Sequence, residues 1–222
     1  MTGQDLRAAA ADALRDLNHA FVGHDTDDDR LRAIATAAEQ ATAALRAGPR
    51  RDRLALMSAA IASARAAADD GSEEADLMFP ASMPGAGFSD RAVAGTTNPT
   101  SIDIDARFEG EEVVADVVLR RAFEGAPGRA HGGIVAAAFD DVTGFVIGRL
   151  REPAFTGELT VRFHAAVPVE QTLRMVSRLD GRERRKLFIS AEAHVGDQLV
   201  ASCRAIYVTV DSSKFAGALD PR

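Results

Sequence analysis

The segment HGGIVAAAFDDVTGFVIGRL, residues 131–150, decides how the rest of the chain is read. Ile134, Val135, Ala138, Phe139, Val142, Phe145, Val146 and Leu150 cover most sides of a helix rather than a single stripe, and a helix that is apolar nearly all round is a buried one. Two features fit poorly with a plain core helix. Paired glycines, Gly132 and Gly133, weaken its start, and the adjacent carboxylates of Asp140 and Asp141 are costly to bury. Stability alone does not select that combination.

On both sides of this helix the apolar period changes from helical to alternating. Before it, Ile102, Ile104, Ala106 and Phe108 alternate with polar residues, the turn EGEE follows, and Val113, Ala115, Val117 and Leu119 resume the alternation, which reads as a hairpin. After it come FTGELTVRF from Phe155, TLRMVSRLD from Thr172, an alternating run from Leu187 to Val195, and LVASCRAIYVTV from Leu199. The polar turns DGRERRK and VGDQ separate the last three. Two strands, one long helix and four strands imply an α+β layer fold, an antiparallel sheet wrapped around one central helix.

The N-terminal third is alanine-rich and helical in pattern. Leu6, Ala10, Ala13, Leu14, Leu17 and Phe21 form one set, and Leu31, Ile34, Ala38, Ala41 and Leu45 form a second after the acidic turn HDTDDDR. Leu54, Met57, Ile61 and Ala64 form a third. Alanine buries little area, so these helices are expected to pack on the rest of the protein or on a partner. The resulting division is a helical extension over 1–70, a Pro- and Gly-containing linker over 71–98, the sheet-and-helix domain over 99–211, and a tail over 212–222.

With 222 residues, 46% hydrophobic and 27% charged, the composition is that of a globular protein. The 26 basic residues against 33 acidic ones give a net charge of −7, which argues against a general nucleic-acid surface. No apolar run reaches the roughly 20 residues needed to span a bilayer. The expected setting is therefore cytoplasmic, with no nucleic acid and no membrane as partners. The single cysteine, Cys203, lies in an apolar strand and reads as a filler. No GxSxG elbow is present, and His19, His24, His131, His164 and His194 lack metal-ligand spacing, so neither a metal nor a separate cofactor is expected.

What remains is the chemistry of the helix itself. Its N-terminus presents unpaired N–H groups and a partial positive charge, and glycine lets another molecule approach them, so Gly132 and Gly133 mark an anion or oxyanion site. Asp140 lies about 13 Å further along the axis than His131. One carbonyl cannot touch both ends of the helix in one chain. If both ends serve one reaction, the carboxylate comes from a second copy related by a two-fold axis.

The HGG turn with a carboxylate nine residues beyond its histidine, followed by FTGELTVRFHAAVP, resembles the PaaI-like hotdog-fold acyl-CoA thioesterases over roughly residues 95–210. The resemblance implies a hotdog fold, an acyl-CoA substrate whose coenzyme A is not a separate cofactor, and a homodimer or a dimer of dimers. It implies that Gly132 and Gly133 polarise the thioester carbonyl, that His131 shapes the turn, that Asp140 acts as base or nucleophile, and that Thr156 holds the attacking water. Some relatives carry an amide shortly before the HGG turn; FEGAPGR, residues 123–129, has none. By simple alternation Thr156 shares a strand face with Glu158, Thr160 and Arg162, and Asp141 is expected at solvent or an interface. Arg184, Arg185 and Lys186, with Arg182 in the same turn, are candidates for the coenzyme A phosphates. A non-catalytic acyl-CoA-binding or regulatory protein is the alternative reading.

Overall fold

The structure, a computed structural model, describes residues 3–52, 55, 89–150 and 153–210. The third apolar set from Leu54 to Ala64, most of the linker, and the tail from 212 lie outside the described residues.

The alternating segments form one six-stranded antiparallel sheet. Its strands are β1 (Asp103–Glu109), β2 (Glu112–Val118), β5 (Ala154–Phe163), β6 (Thr172–Glu183), β7 (Lys186–Val195) and β8 (Gln198–Thr209), in the order β1-β2-β6-β7-β8-β5. Between β2 and the central helix lies a two-stranded ribbon of β3 (Glu124–Ala126) and β4 (Arg129–Ala130), which the alternation pattern did not announce. The central helix α3 (Gly132–Leu150) packs on the sheet through Val135, Ala138, Phe139, Val142, Phe145 and Val146. Opposite it stand Ala115 and Val117 of β2, Leu173 and Met175 of β6, Leu187 and Ile189 of β7, and Ala201, Cys203 and Ala205 of β8. This is the sheet around one central helix expected from the order of elements, and the hotdog fold that the resemblance implies.

Two helices precede the sheet, α1 (Gly3–Gly23) and α2 (Asp28–Ala47). Asp27 caps α2 by accepting the Arg30 N–H at 2.9 Å, and α2 buries none of its residues. The face that α1 turns to the rest of the chain is not its apolar one. Its apolar stripe is exposed, from Leu6 at 52% to Phe21 at 55%, while the buried stripe is Ala11, Arg15 and His19. The surface that receives it is polar, which explains the choice of face. Arg15 Nη2 donates to Ser101 Oγ at 2.8 Å, Arg15 Nη1 lies 3.7 Å from Asp103 Oδ1, and Asp16 pairs with Arg120 at 2.6 Å. A buried guanidinium needs such partners, and β1 with its lead-in supplies them. No helix among the described residues is long and apolar enough to cross a membrane.

Candidate active site on the central helix

The two chemical features of α3 are built by different neighbours. At its N-terminus the His131 carbonyl accepts the N–H groups of Ile134 at 2.9 Å and Val135 at 3.2 Å, which starts the helix. The His131 Nδ1 accepts the Gly133 N–H at 3.0 Å, so the histidine is the cap of the helix, and this bond fixes Nδ1 as an acceptor. Gly133 is thereby occupied, whereas the Gly132 N–H has no hydrogen-bond acceptor among the described residues. The two glycines that look equivalent in sequence differ in their hydrogen bonding.

Space around the turn is tight. A Cβ on Gly125 would lie 2.8 Å from the His131 Cα, so β3 holds the histidine in a slot that only glycine leaves open. A Cβ on Gly132 would lie 3.3 Å from Phe163 Cζ, which places the exposed ring of Phe163 beside the free amide. Sequence reasoning missed both residues. The glycine in FEGAPGR was a visible signal for a close backbone approach, while Phe163 lies 31 positions beyond Gly132 and carries no local signature.

Near the middle of α3 the half-buried Asp140 meets β5 and β8. The Thr156 hydroxyl donates to Asp140 Oδ1 at 2.8 Å. The Tyr207 hydroxyl donates to the Asp140 carbonyl at 2.8 Å and lies 3.5 Å from Oδ1. Thr143 completes the group at 2.9 Å from Tyr207 Oη, and its own hydroxyl reaches back to the Phe139 carbonyl at 2.8 Å. Gly144 makes room, since a Cβ there would stand 3.4 Å from the Tyr207 hydroxyl. Burial pushes the Tyr207 phenol well above its ordinary value, so it remains a protonated donor. Oδ1 of Asp140 is thus held, and Oδ2 has no hydrogen bond among the described residues.

Thr156 reaches Asp140 because β5 does not alternate simply. The register with β8 slips between Thr156 and Glu158, a bulge at Gly157. Ala154 therefore packs on the core together with Leu159 and Val161, and Thr156 turns to the helix instead of sharing the face of Glu158, Thr160 and Arg162. The glycine marked the bulge; the alternation count passed over it.

Asp141, expected at solvent or an interface, is half-buried with its side chain against Arg91, whose Nε stands 4.0 Å from Asp141 Oδ2. The Arg91 guanidinium also lies 5.1 Å from the centre of the Phe145 ring. Burial raises the Asp141 pKa despite Arg91, with the neighbouring Asp140 charge adding to the rise. Its part is to fasten the segment before β1 to α3. Cys203 is buried on β8 as expected, and burial pushes its thiol up to about 12, so it is uncharged at neutral pH.

The basic turn between β6 and β7 is divided in the same way. Arg185 Nε donates to the Thr209 carbonyl at 2.9 Å and ties the turn to the end of β8. Arg184, in the left-handed region at φ 52°, and Lys186 are exposed. Leu187, next to this turn, pairs with Tyr207, and Tyr207 pairs with Thr156. The basic tip therefore stands at the Asp140 end of the sheet.

Residues 127–202 match the family model of the Thioesterase superfamily. Over 78 residues the chain is 42% identical to an acyl-coenzyme A thioesterase of Homo sapiens, THEM5; that stretch is 34% of this chain and 30% of the human protein. The chain therefore spans less than a third of this curated relative. A solved structure of a thioesterase superfamily protein is similar along nearly the whole chain, with a TM-score of 0.69 at 20% identity, covering 91% of this chain and 90% of that one. The likeness in fold thus takes in much more than the segment that the family model matches.

Proposed function

We propose, from the premise that this is a hotdog fold whose central segment is a thioesterase superfamily match, that the protein is an acyl-CoA thioesterase with an active site shared between two copies of the chain. The observation that carries this reading is the division of labour along α3. Among the described residues the Gly132 N–H has no acceptor at one end, and the Asp140 carboxylate is held by Thr156 about 12 Å along the axis. One thioester carbonyl cannot bridge that distance within a chain.

The edge of the sheet supports the pairing. β5 is a ten-residue outer strand with an open hydrogen-bonding edge among the described residues, and it carries exposed Phe155 and Phe163. A two-fold axis at Thr160 pairs β5 with its own copy in antiparallel fashion and, with Gly157 as the extra residue of the bulge, sets Thr156 of one chain opposite Phe163 of the other. Because Thr156 holds Asp140 and Phe163 flanks Gly132, this brings the carboxylate of one protomer to the amide of its partner.

In that arrangement the Gly132 N–H, strengthened by the helix dipole, stabilises the oxyanion that forms at the thioester carbonyl. Asp140 takes a proton from water through Oδ2, or attacks directly, while Thr156 fixes Oδ1 and offers its remaining lone pairs to the water. His131 keeps the turn in shape by accepting from Gly133. A thioester is already activated, so these groups suffice without a serine or cysteine nucleophile. Arg184 and Lys186 supply the exposed charge for coenzyme A phosphates, with Arg185 holding the turn that presents them.

A panel of acyl- and aryl-CoA thioesters, followed by release of free thiol, tests the reaction. Turnover of at least one of them is expected. Saturable binding across the panel with no thiol released would instead make the protein an acyl-CoA sensor. Thr156→Val, which keeps the shape but deletes the hydrogen bond to Asp140, is expected to lower kcat roughly tenfold, and Thr156→Ser to restore most of it. Steady-state kinetics of the two variants checks this, and equal values for Val and wild type would remove Thr156 from the mechanism.

A further inference from the structure

The helix α1 lies outside residues 127–202, which match the family model, yet its C-terminal half clasps the residues that lead into the HGG turn. Asp16 pairs with Arg120 at 2.6 Å, and His19 Nδ1 accepts the Ala122 N–H at 3.0 Å. The His19 ring stands edge-on to Phe123, with centroids 4.9 Å apart, and a Cβ on Gly23 would lie 3.2 Å from Arg121 Cγ. Phe123 hands the connection on. Its carbonyl accepts the His131 N–H at 2.8 Å, and His131 Nδ1 accepts the Gly133 N–H. A continuous path of bonds and hydrogen bonds runs from α1 to the amides at the start of α3.

We propose that His19 is a positioning residue for the oxyanion turn, so that the N-terminal helix sets the orientation of the Gly132 N–H. The proposal rests on the reading of that turn as the oxyanion site. A neutral imidazole suits this place because it accepts an N–H through Nδ1 while laying an apolar ring against Phe123. Among the described residues its Nε2 is buried without a partner, and the Ala122 bond and the Phe123 contact orient the ring. A lost contact here leaves the Ala122–Phe123 segment free to shift, and His131 with it.

The same geometry makes the device sensitive to acid. A protonated Nδ1 would point a donor at the Ala122 donor. The charges that face His19 are Arg15 and Asp16 on its own helix, Arg120 just ahead of the short 3-10 helix Arg121–Phe123, and Asp103 on β1. A cleft beside it is lined further by His24, Arg121, Glu124 and Glu170. Burial first, then Arg120, holds the His19 pKa below the ordinary 6.5. The folded state thus favours the neutral ring. Its contribution is complete above 6.5 and is lost as pH falls from there through the lowered folded value.

The test uses the full chain with His19→Ala, His19→Asn and His19→Gln, read by steady-state kinetics and by amide hydrogen exchange at residues 131–133. The oxygen of Asn reaches the place of Nδ1, whereas that of Gln reaches the place of Nε2. The expected result is a fall in kcat of about tenfold for Ala and Gln with KM within about twofold. Asn is expected to recover kcat to within about threefold of wild type, with faster Gly133 exchange in Ala and Gln reversed in Asn. The fall in kcat below pH 6.5 should be shallower in the Asn variant than in wild type. A general loss of thermal stability without the difference between Asn and Gln, or kcat within about twofold of wild type in His19→Ala, overturns the proposal. If the wild type releases no thiol from any thioester, the thioesterase reading fails and exchange alone decides: unchanged Gly133 exchange in His19→Ala overturns the positioning role, and acceleration that Asn reverses supports it.

Discussion

Asp140→Asn is expected to lower kcat for thioester hydrolysis by about 100-fold or more while leaving the fold and the state of assembly unchanged. The substitution keeps the size of the side chain, and its amide oxygen still accepts the Thr156 hydroxyl that now holds Oδ1. What it removes is the negative charge and the ability to take a proton. Both routes open to the carboxylate, activating water or attacking the carbonyl itself, need that charge. The Tyr207 and Thr143 bonds go to the Asp140 backbone carbonyl, so the variant retains them. Steady-state kinetics alongside light scattering and thermal melting separates the effects. Turnover within about threefold of wild type would exclude Asp140 from the reaction.

Gly132→Pro carries the second large expected effect, a loss in kcat of about 100- to 1,000-fold from removal of a single backbone donor. Proline is the residue that makes this test possible, because Gly132 is the first residue of α3 and proline is favoured at that position. It deletes the N–H that has no acceptor among the described residues and leaves the Gly133 N–H bonded to His131. The ring would crowd Phe163, which is half exposed and able to turn aside. Circular dichroism and melting should therefore stay close to wild type while kcat collapses. A folded Gly132→Pro protein with unchanged turnover would mean that the oxyanion is stabilised elsewhere.

These two positions were legible in the sequence because each breaks a rule of the element that holds it. Glycines at the start of a buried helix and a carboxylate along its length make no sense as packing, and periodicity alone placed both on one helix about 12 Å apart. The sheet was legible for a related reason. Its alternation is regular in β1, β2 and β7 as far as Ala193, so the faces of those strands could be assigned from the pattern alone. What escaped was whatever depended on a local irregularity or on contact between distant segments. The bulge at Gly157 turned Thr156 toward Asp140 against the alternation, and the short β3–β4 ribbon had too few residues to show a period. Gly125 is pressed against His131 only because that ribbon folds back.

The face by which α1 docks was not legible in its periodicity. Leu6, Leu14, Leu17 and Phe21 form the stronger apolar stripe, and the usual inference turns such a stripe inward. The helix docks instead through Arg15 and His19, because the surface that receives it offers Asp103, Ser101 and an unpaired Ala122 N–H rather than an apolar groove. Periodicity describes a helix and not its receptor. The same limit applied to Asp141, whose partner Arg91 lies 50 positions away in a segment read as linker.

The most direct test of the shared site is complementation between the two inactive variants. Asp140→Asn and Gly132→Pro chains are mixed, unfolded together and refolded, and thiol release is compared with that of each variant refolded alone. In a mixed dimer one site combines the intact Gly132 of the first chain with the intact Asp140 of the second, and the other site carries both lesions. With random assortment half of the dimers are mixed and half of their sites are whole, so about one quarter of wild-type activity should return. If each site lay within a single chain, every site in the mixture would still carry one lesion, and activity no higher than the average of the two variants would contradict the account.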